Sequence, residues 1–380
     1  MEASLQRVNR RRALIAAALC GMLWSGSGTT AAWAQSWTLA AHVSVDGDLR
    51  ETGGEYAERI VDAARSGGWT LRLQLSETAG DLVRHAVTDG VVDEAGVPPA
   101  ASASAAVEDL LRWAQESAPA DKYALIIYGH DARSAGSDQE ELTFREIDAG
   151  IMAGLGRPVD VMVLDRCYGA GVDALWELRS SVDVLVGAPG RRLSTGLAWQ
   201  KVIGEVPASS GMSAADFALR CAEVEGTDAM AHMVALRPSE SPAIAKALRG
   251  LVEAVEPEMA AVAPLLTLVR GQAAGQGGDA KMVDLVDLCN GLSLVADGEV
   301  RTAALATVTA VEASFLRSGE ARRCGPSISF GPGPVGGVQP AADRDSFAEA
   351  SGWLELTESY RSRLRELINR PAGDAKEQAA

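Results

Sequence analysis

Two stretches of the sequence decide the fold, YALIIYGH over residues 123–130 and VDVMVLDRC over residues 159–167. Each begins with a nearly continuous apolar run, which is typical of a strand buried on both faces of a parallel sheet. The segment between His130 and Cys167 is long enough for a loop and one helix, and Thr143 and Glu146 have the spacing of a capping box. The sequence therefore predicts a strand, a helix and a parallel return strand joined by a right-handed crossover.

The same alternation of strands and helices continues on both sides of this unit. Asp89-Gly90 lies between two β-prone segments and predicts a hairpin. Further strands are predicted over residues 37–45, 69–75 and 182–186, and amphipathic helices over residues 55–64, 104–115 and 171–179. We therefore expect an α/β fold, with a mostly parallel sheet covered by helices on both faces and a mainly helical C-terminal extension.

The first 34 residues have the pattern of an export signal. Four arginines precede an apolar run over residues 13–24, and Ala32-Trp33-Ala34 matches a small-residue cleavage pattern. The run is too short to span a bilayer. We expect cleavage near Ala34 and a periplasmic or secreted protein with no stable membrane insertion. The predicted organisation is a signal peptide over 1–34, a core over 35–200, a mainly helical part over 201–369 that completes the fold, and a disordered tail over 370–380.

Charge and cysteine spacing exclude several classes of function. The net charge of −16 repels phosphate, so nucleic acid is not an expected partner. Cys167, Cys221, Cys289 and Cys324 are too widely spaced for a metal motif or a disulfide framework. If Cys167 is a free thiol, at most one disulfide can form among the other three, and all three reduced is the alternative. No cofactor is expected, and the sequence does not determine whether calcium is needed.

Reactive side chains follow both of the strands quoted above. His130 and Cys167 come directly after them, and the carboxyl ends of parallel strands meet at one edge of a sheet, where ligand sites gather. A thiolate is a nucleophile when a nearby base helps to form it. The pair therefore predicts nucleophilic catalysis by Cys167. The alternative is a cell-envelope structural or interaction protein in which Cys167 is simply buried.

The motifs, taken in order, resemble those of clostripain-like cysteine peptidases, which have a caspase-type fold. The histidine motif corresponds to Tyr128-Gly129-His130-Asp131, and the nucleophile motif to Asp165-Arg166-Cys167-Tyr168-Gly169. Matching segments also occur, in the right order, at residues 37–48, 282–285 and 325–330. The resemblance spans nearly the whole mature chain, so it is more specific than any single motif.

The resemblance implies a role for each matching residue. Cys167 would be the nucleophile that forms a thioester with a peptide or protein substrate, and His130 the general base and acid. Asp165 would favour Arg or Lys before the scissile bond, because a carboxylate can bind Arg through two hydrogen bonds. The backbone N–H groups of Asp131 and Cys167 would form the oxyanion hole.

The sequence departs from the family pattern at three places. Asp131 replaces a glycine, Arg166 replaces a small residue, and Arg191 and Arg192 lie where the family has an acidic segment. The change at Asp131 would place a negative charge beside the developing oxyanion. Two alternatives therefore remain, a catalytically impaired member that binds peptides, and a peptidase in which one of these arginines neutralises Asp165 and shifts the preference toward acidic or neutral residues.

Overall fold

The computed structural model describes residues 36–45, 49–77, 82–98, 100–130, 142–224, 232–273, 282–317, 324–330 and 346–369. The predicted signal peptide, Asp131 and the predicted tail over 370–380 lie outside these residues. The chain divides into two units, Met1–Ala34 and Gln35–Ala380, and the structure below is that of the second unit.

Eight strands form one sheet at the centre of this unit. In chain order they are β1 (Trp37–Val45), β2 (Thr70–Glu77), β3 (Leu82–Thr88), β4 (Val91–Val97), β5 (Lys122–Tyr128), β6 (Val159–Asp165), β7 (Val182–Gly187) and β8 (Val234–Leu236). Their spatial order is β4-β3-β2-β1-β5-β6-β7-β8. The five neighbouring strands β2, β1, β5, β6 and β7 run parallel to one another. Strands β3, β4 and β8 pair antiparallel with their neighbours. The predicted mostly parallel sheet is confirmed.

Helices cover both faces of the sheet, as predicted. They are α1 (Arg50–Gly67), α2 (Ala103–Ser117), α3 (Phe144–Leu155), α4 (Val172–Glu177), α5 (Ala214–Glu223), α6 (Ser241–Val255), α7 (Met259–Ala273), α8 (Leu285–Val295), α9 (Gly298–Ser314), α10 (Phe347–Ala350) and α11 (Trp353–Ile368). One buried cluster packs α1 and α5 on one face, and the other packs α2, α3, α4 and the later helices on the opposite face. No helix in the described ranges combines the length and apolar character needed to cross a bilayer.

Local sequence signals explain where several elements begin and end. The Thr143 side chain accepts the Glu146 N–H at 3.2 Å, and the Glu146 carboxylate accepts the Thr143 N–H at 2.9 Å, so the predicted capping box starts α3. Helix α1 ends at Gly67 and is capped by Gly68, which has a φ of 69°. The β3–β4 turn has positive φ at both Asp89 (50°) and Gly90 (78°), as its Asp-Gly sequence predicts.

The C-terminal part shares the core of the N-terminal part. One buried cluster extends from Ala40 in β1 to Tyr360 in α11. A second small sheet pairs β9 (Met282–Asp284) antiparallel with β10 (Ser327–Ser329), and Ser327 also bridges Gly171, four residues after Cys167. The residues after 200 therefore support the turn that carries Cys167.

Asp284 is a buried carboxylate at the junction of β9 and α8. Its Oδ1 accepts the N–H groups of Val286 at 2.8 Å and Asp287 at 3.0 Å, and its Oδ2 accepts the N–H of Gly325, just before β10. Burial raises the pKa of Asp284 to about 6, because desolvation of the charged form outweighs these hydrogen bonds. The carboxylate thus connects α8 to the strand that meets Gly171.

The raised pKa of Asp284 predicts that the contribution of this residue to stability increases as the pH falls from about 6 to about 4. An Asp in the unfolded chain has a pKa near ~4. The native state therefore holds this proton more tightly, and stability is lost as the pH rises between the two values. The difference of about two pKa units corresponds to about 3 kcal/mol of unfolding free energy.

Urea unfolding of wild type and Asp284→Asn at about pH 4 and about pH 7 measures this contribution. The unfolding free energy at about pH 4 minus that at about pH 7 should be lower in Asp284→Asn than in wild type, by about 2–3 kcal/mol. The control is Asp62→Asn, since the Asp62 side chain is mostly exposed. Equal pH differences in wild type and Asp284→Asn would contradict the prediction.

Candidate active site

His130 and Cys167 lie at corresponding positions beyond two adjacent parallel strands. Tyr128 at the end of β5 pairs with Asp165 at the end of β6. His130 and Cys167 each follow this pair by two residues, and both are half-buried. The pairing register therefore brings the imidazole and the thiol to the same sheet edge, as the sequence predicts.

A tight turn after β6 holds Cys167 at this edge. Tyr168 has a φ of 54°, and a Cβ at Gly169 would lie 2.8 Å from the Leu164 carbonyl oxygen. The Tyr168 N–H donates to the Gly190 carbonyl at 2.8 Å, and the Ala170 N–H donates to the Ala188 carbonyl at 3.0 Å. The turn is thus fixed by hydrogen bonds to residues 188–199, which we call the β7 loop.

The environment of Cys167 differs from that of the other cysteines. The Arg192 N–H in the β7 loop donates to Cys167 Sγ at 3.2 Å. Burial raises the pKa of Cys221, Cys289 and Cys324, so these three thiols stay protonated near neutral pH. All four cysteines of the described residues are free thiols, and Cys167 follows β6 at the sheet edge where His130 follows β5.

Asp165, the predicted specificity residue, faces into the protein. Its side chain has no exposed surface. Arg192 Nε donates to its Oδ1 at 2.6 Å, and the Leu197 N–H donates to its Oδ2 at 2.6 Å. The carboxylate therefore connects the end of β6 to two points in the β7 loop.

Aromatic rings and a glycine close the space around Asp165. Tyr56 in α1 stacks on Tyr128 with ring centroids 4.0 Å apart. Burial raises the pKa of Tyr56 well above its usual value, and the negative charge of Asp165 adds to this effect. Gly196 has a φ of 63°, and a Cβ there would lie 2.8 Å from Asp165 Oδ2 and 2.5 Å from the Tyr56 ring. No side chain fits at that position.

Of the three arginines considered as partners of Asp165, Arg192 is the one in contact with it. The Arg192 side chain is 2% exposed. Arg166 is also buried, but its Nη1 donates to the Leu142 carbonyl at 3.0 Å and its guanidinium lies 4.7 Å from the centre of the Phe144 ring. Arg191 is exposed. The negative charge of Asp165 is therefore balanced by Arg192 alone among these three.

Two predictions about the site concern the oxyanion hole and the need for a cofactor. Asp131, the predicted oxyanion residue beside His130, lies outside the described residues. Within the described ranges, no three His, Cys, Asp or Glu side chains are grouped closely enough to hold a metal ion. The oxyanion role of Asp131 and the expectation that no cofactor is needed stay predictions.

The fold resembles that of solved cysteine proteases. A secreted C11 cysteine protease from Bacteroides thetaiotaomicron in complex with an irreversible peptide inhibitor aligns with a TM-score of 0.57 and 14% identity, over 84% of this chain and 99% of that chain. The secreted B. thetaiotaomicron C11 protease called iotapain gives 0.56 and 12%, over 78% and 87%. An inactive zymogen C11 protease from Parabacteroides distasonis gives 0.52 and 13%, over 86% and 98%. A comparison with curated protein sequences gave no match.

The sheet and its covering helices match the caspase-like α/β fold of the C11 cysteine proteases. The C11 peptidase family model, described as the clostripain family, matches residues 80–333, which is more than half of the chain. The protein belongs to the clostripain family, and the predicted resemblance is confirmed. It is a clostripain-like cysteine peptidase.

Proposed function

We propose that the protein is an exported cysteine endopeptidase that hydrolyses peptide bonds through a thioester on Cys167. The observation that carries this proposal is the pairing of Tyr128 with Asp165, which places His130 and Cys167 in register beyond adjacent strands. His130 and Cys167 come from separate strands, so their joint placement is a property of the fold. Export with cleavage near Ala34, into the periplasm or the medium, rests on the arginine-rich head and the cleavage pattern.

Each step of the proposed reaction has a residue to perform it. Cys167 Sγ gives its proton to His130 and attacks the scissile carbonyl carbon, forming a C–S bond. The amine leaves with the proton that His130 returns to it. Water then attacks the thioester while His130 accepts its proton, which releases the carboxylic acid and restores the thiol. The backbone N–H groups of Cys167 and Asp131 are proposed to stabilise the oxyanion.

The preference for Arg or Lys before the scissile bond depends on Asp165. In this structure both carboxylate oxygens already accept hydrogen bonds, from Arg192 and from the Leu197 backbone. A basic substrate side chain could reach the carboxylate only after Arg192 moves away. The family resemblance thus predicts a basic preference, and the position of Arg192 argues against it.

Two other functions compete with peptide hydrolysis. A catalytically impaired member would bind peptides without cleaving them, and the charge of Asp131 is the feature that favours this candidate. A cell-envelope interaction protein would keep Cys167 as an unreactive thiol. The half-buried position of Cys167 beside the Arg192 N–H favours the peptidase over both.

Covalent labelling of Cys167 tests the proposal. We expect a thiol-reactive peptide ketone to bind Cys167 covalently and to raise the mass of the protein by one peptide label. A similar protein has been solved in complex with an irreversible peptide inhibitor, which suggests this kind of reagent. The label should be lost in His130→Ala, because the thiolate would lack its base. Cys324, which is half-buried, is the internal control and should stay unlabelled. The intact mass of the same sample should correspond to a chain that begins at Gln35.

Labelling that persists at full rate in His130→Ala would remove His130 from the mechanism. Absence of label on Cys167, in protein that unfolds cooperatively, would favour the impaired or interaction protein. A main species that still begins at Met1 would contradict export with cleavage.

A further inference from the structure

Arg192 contacts two groups that a bound substrate would also meet. Its backbone N–H donates to Cys167 Sγ at 3.2 Å, and its Nε donates to Asp165 Oδ1 at 2.6 Å. A peptide with a basic residue before the scissile bond would contact the same two groups. Its scissile carbonyl would lie at Cys167 Sγ, and its basic side chain would reach the Asp165 carboxylate. We propose that the Arg192 side chain fills this subsite, so that the peptidase accepts a small uncharged residue there instead of Arg or Lys. This inference rests on the proposed function.

Burial shows that the subsite is already full. The Asp165 side chain is completely buried and the Arg192 side chain nearly so. The second carboxylate oxygen accepts the Leu197 N–H, and even a methyl group at Gly196 would overlap with that oxygen. A substrate guanidinium needs both oxygens in one plane for a bidentate pair, and that arrangement is not available here. With the carboxylate covered in this way, the proposal leaves room for a small substrate side chain only.

The charges near Cys167 also disfavour a basic substrate residue. The Arg192 guanidinium neutralises Asp165. Arg191, one residue earlier, is exposed, so solvent screens its charge. A substrate Arg or Lys would therefore meet a neutral ion pair where Asp165 alone would attract it.

The proposal makes Arg192 a specificity-determining residue. Removing its side chain would leave a vacant space that ends in an unpaired carboxylate, which is the requirement for binding a guanidinium or ammonium group. The backbone N–H of residue 192 would still be present to contact Cys167. Arg192→Ala should therefore change which peptides are cleaved more than it changes the chemistry at the sulfur.

The test compares wild type and Arg192→Ala on two fluorogenic peptides that differ only in Ala or Arg before the scissile bond. Wild type is expected to cleave the Ala peptide with a kcat/KM at least about 10-fold higher than the Arg peptide. In Arg192→Ala the preference should reverse, and the ratio should change by at least about 100-fold. Arg191→Ala is the matched control, since it removes an exposed charge from the same loop, and its ratio should stay within about threefold of wild type.

A second measurement does not depend on turnover. Benzamidine, an amidine that is not a peptide, should raise the Tm of Arg192→Ala by occupying the vacant space, and it should leave wild type unchanged. A wild-type preference for the Arg peptide, or an equal benzamidine effect on both proteins, would overturn the inference while the peptidase assignment stands. If neither peptide is cleaved and Cys167 is not labelled, the proposed function fails, and the benzamidine shift alone decides whether Arg192 fills the subsite. Should Arg192→Ala not fold, the wild-type ratio decides.

Discussion

Cys167→Ala is expected to abolish peptide hydrolysis and to leave the fold intact. Removing the nucleophile of a protease that works through a covalent intermediate lowers kcat by up to about a million-fold. Cys167 is half-buried at a strand end, so replacing its sulfur by hydrogen creates little cavity. The Arg192 N–H loses its sulfur acceptor, and we expect the free energy of unfolding to fall by about 1 kcal/mol or less.

Progress curves and urea unfolding of the purified variant measure both effects. Cys324→Ala is the matched control, because Cys324 is also a half-buried free thiol, and it should keep its activity. Cys167→Ser, which keeps the shape of the side chain, provides a second test if the alanine variant is unstable. Loss of folding in both Cys167 variants would show that this cysteine is structural.

The long central elements could be predicted because their residues carry a strong periodic pattern. The observed bounds of β1 are those that the apolar pattern gives, and the apolar runs that begin at Tyr123 and Val159 became β5 and β6. Strands β5 and β6 are apolar on both faces, since the two core clusters take alternate residues from each, whereas one face of β1 carries Thr38, His42 and Ser44. Their order and direction follow from the rules for parallel connections.

Short or interrupted elements were not predicted from the pattern. Strands β8 and β9 have three residues each, too few to show a period of two. Helix α7 contains Pro264 in its interior, which reads locally as a break. These elements form because neighbouring strands and helices bury them, a cause that no local pattern records.

The sequence predicted that His130 and Cys167 lie at one sheet edge, as the register of β5 and β6 shows, but it did not predict the surroundings of Asp165. His130 and Cys167 follow apolar strands, so their placement is a local signal. The contact between Asp165 and Arg192 joins residues far apart in the chain, and the sequence offered Arg166 and Arg191 as equal candidates. The bond from the Leu197 backbone and the packing of Tyr56 depend on the path of the β7 loop. Within that loop, the reversed charge at Arg191 and Arg192 was the local signal of an altered site.

Asp165→Ala is expected to lower the free energy of unfolding by about 3–5 kcal/mol, because it leaves the Arg192 charge buried without its carboxylate. The Leu197 N–H would lose its acceptor as well, so the β7 loop would no longer hold its contact with Cys167, and kcat/KM should fall on every substrate. A carboxylate that served only to bind substrate would behave differently. Its removal would leave stability unchanged and weaken cleavage of basic peptides alone.

A double-mutant cycle separates these two roles of Asp165. Asp165→Ala combined with Arg192→Met removes both buried charges while keeping most of the apolar stem of Arg192, so it should recover most of the lost stability. The coupling energy from urea unfolding of the four proteins is then expected to be about 2 kcal/mol or more. The same cycle with Arg191→Met is the control, and its coupling should be near zero because Arg191 is exposed. Additive effects of Asp165→Ala and Arg192→Met would mean that the pair does not organise the loop, and Asp165 would return to being a candidate for direct contact with the substrate.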